Sequence, residues 1–282
     1  MPSLPTISPE DVRTAERAPQ KNGAIGDMRA AEWHPAHFDY LLRLGDDSLI
    51  LAQRLAEWCG HAPSVEVDLS LANMGLDLIG QATLFLDHAG EIEGKSRTGD
   101  TLAFHRDVLA FRNCLLVEQP NGDFAQTIAR HFLFATYSLG LFEALTRSTD
   151  PRIAEIAAKA VKEVTYHADL AADWVVRLGD GTEESRARMI AGFDWHWRFV
   201  EELFDQDELE RNLVAQGIAA DRAALRPTFD AALARTFAEA KLEVPPLPYA
   251  IRGGRVGHHS EHLGHLLATM QFLPRTYPDA KW

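Results

Sequence analysis

Apolar residues recur at every third or fourth position along most of this 282-residue chain. That spacing belongs to helices with one buried face. Phe38, Leu42, Gly45, Leu49, Ala52 and Ala56 mark the first such face and predict a helix over 36–59. The turn GHAPS at 60–64 ends it, and a second long helix is predicted over 67–89. Gly90, Gly94 and Gly99 punctuate the next loop. The stretch DTLAFHRDVLAFRN predicts a shorter helix over 100–113 with Asp100 as its N-cap. EQPNGDF at 118–124 reads as a turn. A third long helix follows over 123–148. DPR at 150–152 supplies a capping aspartate and a proline at the first helical position of a fourth, over 150–178. GDGT at 179–182 ends that helix and caps a fifth over 183–205. Shorter helices are predicted over 206–216 and 221–241, then a loop over 244–257 and a last helix from Ser260 to Tyr277.

No strand-like alternation of useful length interrupts this order. Four long helices with shorter ones appended predict an all-α domain built on a bundle. Residues 1–32, rich in Pro, Gly, Ala and charge, read as a flexible leader, and 33–282 as a single helical domain.

Charge narrows the partners. With 28 basic and 41 acidic residues the net charge is −13, which argues against nucleic acid. It suits a cytoplasmic protein. Cys59 and Cys114 form no CxxC, so they read as small core residues of a protein in a reducing compartment. The stretch FLFATYSLGLF at 132–142 is too short to span a membrane and reads as a buried helix, so no membrane association is expected.

The candidate chemistry begins at KEVTYHADL, residues 162–170. A carboxylate-bridged iron pair in a four-helix bundle takes one Glu from each of two helices and Glu-x-x-His from each of the other two. Residues three apart on a helix lie within about 60° of each other, so both ligands reach one interior point. Here Glu163 has Tyr166 at that position, and His167 lies one step beyond. The second helix offers Asp68 and Asp77 as interior acids, with His88 at its far end. The first offers Asp46 with Asp47 beside it, and the third offers Gln126, Arg130 and His131 in its middle. An arginine beside an iron pair is electrostatically wrong unless its head points away. The plainer expectation is a buried hydrogen-bonded network of Glu163, Tyr166 and His167 with Asp46 or Arg130.

HHSEH at 258–262 matches the H-x-x-E-H string of inverted zinc peptidases. Gly257 and Ser260 place His258 before the helix, and the only acid downstream is Asp279. Helix capping by Ser260 and polar contacts of Glu261, His262 and His265 account for it more simply. Arg252 and Arg255, set among glycines, make this region a candidate binding surface together with Glu261 and His262. Trp195 and Trp197, in the aromatic run FDWHWRF, point to burial on more than one side and to a partner.

Five segments carry a resemblance: YLLRLGDDSLILAQRLAEWCGHAP, DLSLANMGLDLIGQA, LLVEQPNGDFAQTIAR, KAVKEVTYHADLAADWVVRLGDGT and HHSEHLGHLLATMQFL. Together they resemble the C-subunit family of bacterial phenylacetyl-CoA epoxidases, from about residue 36 to the C-terminus. The resemblance implies a ferritin-like four-helix bundle with additional helices. It implies a part in aerobic phenylacetate breakdown, where a multicomponent oxygenase epoxidises the ring of phenylacetyl-CoA with O₂ and NADPH. In that family the di-iron site belongs to a catalytic A subunit, and the C subunit binds A as a structural partner. A small B subunit bridges such pairs, and a flavin and iron–sulfur reductase supplies electrons. On this reading the chain binds no cofactor and has no catalytic residue. The rival reading is a self-sufficient di-iron oxidase or oxygenase that uses Glu163 and His167.

Overall fold

The structure, a computed structural model, describes residues 35–246, 249–278 and 280. The leader predicted over 1–32 lies outside the described residues. In chain order the helices are α1 (Pro35–Ala56), α2 (Val65–Glu93), α3 (Gly99–Phe104), α4 (Leu115–Glu118), α5 (Phe124–Leu145), α6 (Pro151–Gly179), α7 (Glu183–His196), α8 (Glu208–Ala215), α9 (Arg226–Ala240), α10 (Glu261–Met270) and α11 (Phe272–Thr276). No strand occurs among the described residues.

Local chemistry sets most of these ends. Ser64 caps α2 by accepting from Val67 N, and Gly94, left-handed at φ 67°, closes it. Asp123 caps α5 through Gln126 N. Asp150 caps α6, with Pro151 at the first helical position. Thr182 and Ser185 form a capping box on α7.

α1 packs on α2, α5 packs on α6, and α2 meets α6, which closes an all-α, ferritin-like four-helix bundle. Gly45 lets the first pair approach closely, since a Cβ there would stand 2.8 Å from the Leu86 side chain. Phe85 of α2 stacks on Phe142 of α5 at 6.0 Å, and Phe124 of α5 meets Trp174 of α6 edge-on at 5.0 Å. By length and composition α2 is apolar enough to cross a membrane. In the fold it is a bundle helix with Gln81, His88 and Glu93 buried along it.

The bundle's long crossover departs from expectation. The helix predicted over 100–113 stops at Phe104, and its cap is Thr98, not Asp100. The chain then runs through a short 3₁₀ turn at Val108–Ala110 into extended backbone around 111–114. Buried, non-helical backbone must find its partners elsewhere, and here α1 supplies them. Asp46 accepts from Arg112 N at 2.8 Å and from Arg106 Nη1 at 2.9 Å, while Asp47 accepts from Cys114 N at 2.7 Å. Glu202 accepts from Leu115 N at 2.6 Å on one oxygen and from Gly253 N and Gly254 N, each at 2.8 Å, on the other. Glu118 accepts from Asn113 Nδ2, His259 Nδ1 and Ser260 N. Arg255 closes the belt, 2.7 Å from Asp47 and donating to the carbonyls of Arg43 and Arg112.

Two other predicted helices are shorter. The one over 183–205 ends at His196 and continues as 3₁₀ turns at Trp197–Phe199 and Glu201–Leu203, which carry Glu202 inward. The last breaks at Gln271, whose side-chain amide donates to the carbonyls of Ala103 and Arg106.

Removing one member of a buried ion pair strands the other. Asp46→Ala leaves Arg106 without its carboxylate and is expected to cost about 3–5 kcal/mol of unfolding free energy. Denaturant titration of the variant beside the parent checks this.

Candidate functional site

The place where an iron pair would sit in such a bundle is where its four long helices converge. Leu51 of α1, Gln81 of α2, His131 of α5 and His167 of α6 meet around a cavity of about 10 Å³. Two polar chains cross here. In the first, Ser48 Oγ donates to Gln81 Oε1 at 3.4 Å, and Gln81 Nε2 donates to Glu163 Oε2 at 3.0 Å. Lys159 lies 3.6 Å from the other oxygen of Glu163, at the solvent side. In the second, His167 Nε2 lies 3.1 Å from Asp77 Oδ2, and the His131 ring stands 5.6 Å from the His167 ring.

Both histidines are held toward the neutral form. Burial pushes the His167 pKa down, and Asp77 only partly restores it. Burial pushes His131 well below the ordinary value, helped by His167 and Arg130. Neither ring nitrogen of His131 has a hydrogen-bond partner.

This donor set does not fit a carboxylate-bridged iron pair. That centre takes four carboxylates and two histidines. The convergence point offers Glu163, already bonded to Gln81, and Asp77 from the partly exposed rim. A neutral amide and a hydroxyl occupy the remaining positions, and the void is no larger than one water. Among the described residues, the one grouping of His, Cys, Asp and Glu donors close enough to share a cation lies elsewhere.

The five polar candidates from the sequence therefore separate. Glu163 and His167 stand at the centre, each with an α2 partner. Tyr166 does not join them: it is 49% exposed, because the step from 163 to 166 turns outward on α6. Asp46 serves the crossover through Arg106 and Arg112. Arg130 points its head away, donating to Gln119 O and Asn121 Oδ1 in the turn before α5. Burial, with Arg54 adding repulsion, pushes its pKa down to about 9. Sequence reasoning misses Gln81 and Ser48, although Gln81 is a polar residue in register with the apolar Leu78 and Phe85.

The interface candidates also divide. Trp195 is 40% exposed, with Arg198 stacked 5.2 Å from its ring centroid. Trp197 is buried, because α7 ends at His196 and the 3₁₀ turn carries it inward. Arg255 is buried in the Asp47 ion pair, whereas Arg252 is exposed and pairs with Asp205. Glu261 is exposed and His262 half-buried, and His258 precedes α10 as expected. His259, not His258 or His262, makes the carboxylate contact, so HHSEH forms no metal triad. Ser260 occupies the cap position of α10, but its hydroxyl makes no capping bond. Cys114 is buried as expected, and Cys59 is exposed rather than core.

Comparison with known proteins identifies a family and a relative. The family model described as "Phenylacetic acid catabolic protein" matches residues 25–282. The C subunit of the 1,2-phenylacetyl-CoA epoxidase of Escherichia coli (strain K12) is 49% identical over 243 residues, which is 86% of this chain and 98% of the relative.

Acid should expose the cost of His131. Its pKa is lowered in the folded state, so below about pH 6.5 the unfolded chain binds a proton that the folded chain does not. Its contribution is therefore lost as pH falls, at about 1.4 kcal/mol per pH unit. His131→Leu should remove that component of the slope between about pH 6.5 and 5. It should be neutral or stabilising at about pH 7, since two orphan nitrogens leave the core. Denaturant titrations across this pH range measure both effects.

Proposed function

Since the chain belongs to the phenylacetic acid catabolic protein family, we propose that it is the non-catalytic subunit of a phenylacetyl-CoA ring 1,2-epoxidase. It pairs in the cytoplasm with a di-iron catalytic A subunit. A small B subunit bridges such pairs, and a flavin and iron–sulfur reductase delivers electrons from NADPH. The observation that carries this reading is the bundle centre, where Gln81 and Ser48 complete the polar contacts and two imidazoles are held neutral. Such a centre ties α1, α2 and α6 in register and leaves no carboxylate lining the void for a cation. The chain's contribution is then a rigid surface that positions its catalytic partner.

One surface supports the pairing. Val65, Leu69 and Leu76 on α2 are 72%, 60% and 69% exposed. At about 100° per residue they fall within about 40° of one another on the helix. Gly80 continues the stripe, and a Cβ built there meets nothing within 4 Å. Large apolar side chains aligned in this way mark a surface that a partner covers. Trp195 with Arg198 and Tyr249 offers a second, smaller aromatic patch.

Three measurements test the reading. The purified chain should hold no iron pair, and Glu163→Gln should leave turnover of the reconstituted complex unchanged. Two irons per chain, lost in Glu163→Gln together with turnover, would establish the rival oxygenase instead. Leu69→Glu combined with Leu76→Glu should leave the isolated chain folded by circular dichroism and weaken co-purification with the A subunit at least tenfold. Undiminished co-purification would remove α2 from the interface.

A further inference from the structure

At one end of the bundle three chain segments meet in a cluster that neither the polar centre nor the pairing surface uses. His37 lies in the first turn of α1, His88 late in α2, and Asp150 at the cap of α6. All three are at least nine-tenths buried. His37 Nε2 and His88 Nε2 each lie 2.9 Å from the same oxygen, Asp150 Oδ2. The two rings meet edge-on at 5.8 Å. The other carboxylate oxygen is engaged with the backbone of α6, accepting from Arg152 N and Ile153 N.

The hydrogen bonding around this oxygen is incomplete. His88 Nε2 makes a directed bond to it, but His37 Nε2 is a buried nitrogen without one, although it lies 2.9 Å from the same atom. The donor atoms of all three residues lie within 4.8 Å of one another. Tetrahedral zinc sites take His nitrogen and carboxylate oxygen at about 2.0–2.2 Å, which puts neighbouring donors about 3.3–3.5 Å apart. Opening the two short contacts by about 0.5 Å would reach that spacing. An outer partner is already in place, since Glu91 Oε2 lies 3.4 Å from His88 Nδ1. Metal-bound histidines are oriented by such a carboxylate on the other ring nitrogen.

We propose that His37, His88 and Asp150 bind one Zn²⁺, which fastens the ends of α1, α2 and α6 together. Two imidazoles and one carboxylate leave a fourth position for water. The cation would supply His37 Nε2 with the directed bond it lacks and neutralise the Asp150 carboxylate. Because α1 and α2 form one helix pair and α6 belongs to the other, the ion would cross-link the two halves of the bundle.

The test uses the full chain alone, stripped of metal and titrated with Zn²⁺, so it does not depend on the pairing proposed above. One equivalent should bind, the thermal midpoint should rise, and Co²⁺ in its place should give the visible absorption of a four-coordinate site. Asp150→Asn keeps the helix cap, because asparagine caps as well as aspartate. It should fold yet bind Zn²⁺ at least 100-fold more weakly, as should His88→Asn. The double change His258→Asn, His262→Asn should leave binding untouched. Absence of saturable binding to the folded parent chain would overturn the proposal. So would binding that survives Asp150→Asn and His88→Asn, or that is lost with the C-terminal double change or with Glu163→Gln.

Discussion

Asp46, Asp47, Glu118 and Glu202 are almost sealed from solvent, and each accepts hydrogen bonds from chain that is not helical. The rest of the fold depends on that arrangement. Between α2 and α5 the chain must cross the bundle, and it does so through the interior. Phe111, Asn113 and Cys114 are fully buried although none of them lies in a helix or strand. In water such backbone would be solvated; here the carboxylates stand in for water. Burial pushes the pKa of Asp47 and of Glu202 up despite Arg255 and the amide donors, so their charged forms are held at a cost. These residues therefore specify a path more than they stabilise it. This chain trace gives all four carboxylates their donors, and competing traces strand a buried charge.

The same belt governs the C-terminal region. Glu202 fixes the Gly253–Gly254 turn, Glu118 fixes Ser260 at the start of α10, and Arg54 reaches from α1 to the carbonyls of Glu118 and His262. Gly254 has to be glycine, since a Cβ there would lie 2.2 Å from Asn113 O. The histidines and arginines that look like a ligand cluster in sequence are thereby divided. His259 and Arg255 turn inward to carboxylates, while Arg252 and Glu261 remain outside.

What sequence makes legible is whatever is encoded within a turn or two of itself. The long helices are readable from apolar spacing, and Asp150, Pro151 and the GDGT turn mark true ends. The segment 100–113 misleads for a physical reason. Phe104, Val108 and Phe111 are apolar at helical spacing, but Phe111 is buried in extended chain. Its state is decided by Asp46 and Asp47, which bond Arg112 and Cys114 from 66 and 67 residues earlier. The site shows the same division. Glu163, His167 and Asp77 are all visible as interior polar groups, yet which pairs form depends on how α2 and α6 align across the core. The cluster at His37, His88 and Asp150 leaves no local motif, because its members come from three separate elements. Only the place of His88 in register with Gln81 and Phe85 hints that it faces inward.

The polar groups of this molecule thus fall into two kinds, with different consequences for what the chain can do. Charged groups in the belt are matched with opposite charge or backbone amides, and they hold the crossover and the C-terminal turn against α1. At the bundle centre neutral amide, hydroxyl and imidazole do the inward pairing, with Lys159 reaching Glu163 only from the solvent side, so little fixed charge faces the small void there. A cation entering the centre would have to displace Gln81 from Glu163 and find donors that are not gathered there. Rigidity without a charge-lined cavity suits a chain whose contribution to a complex is its outer face. Leaving Val65, Leu69 and Leu76 in water is otherwise unfavourable, and it is offset when a partner protein buries them. The inward-facing chemistry fixes the shape, and under the pairing proposed above the outward-facing α2 stripe is where that shape would be used.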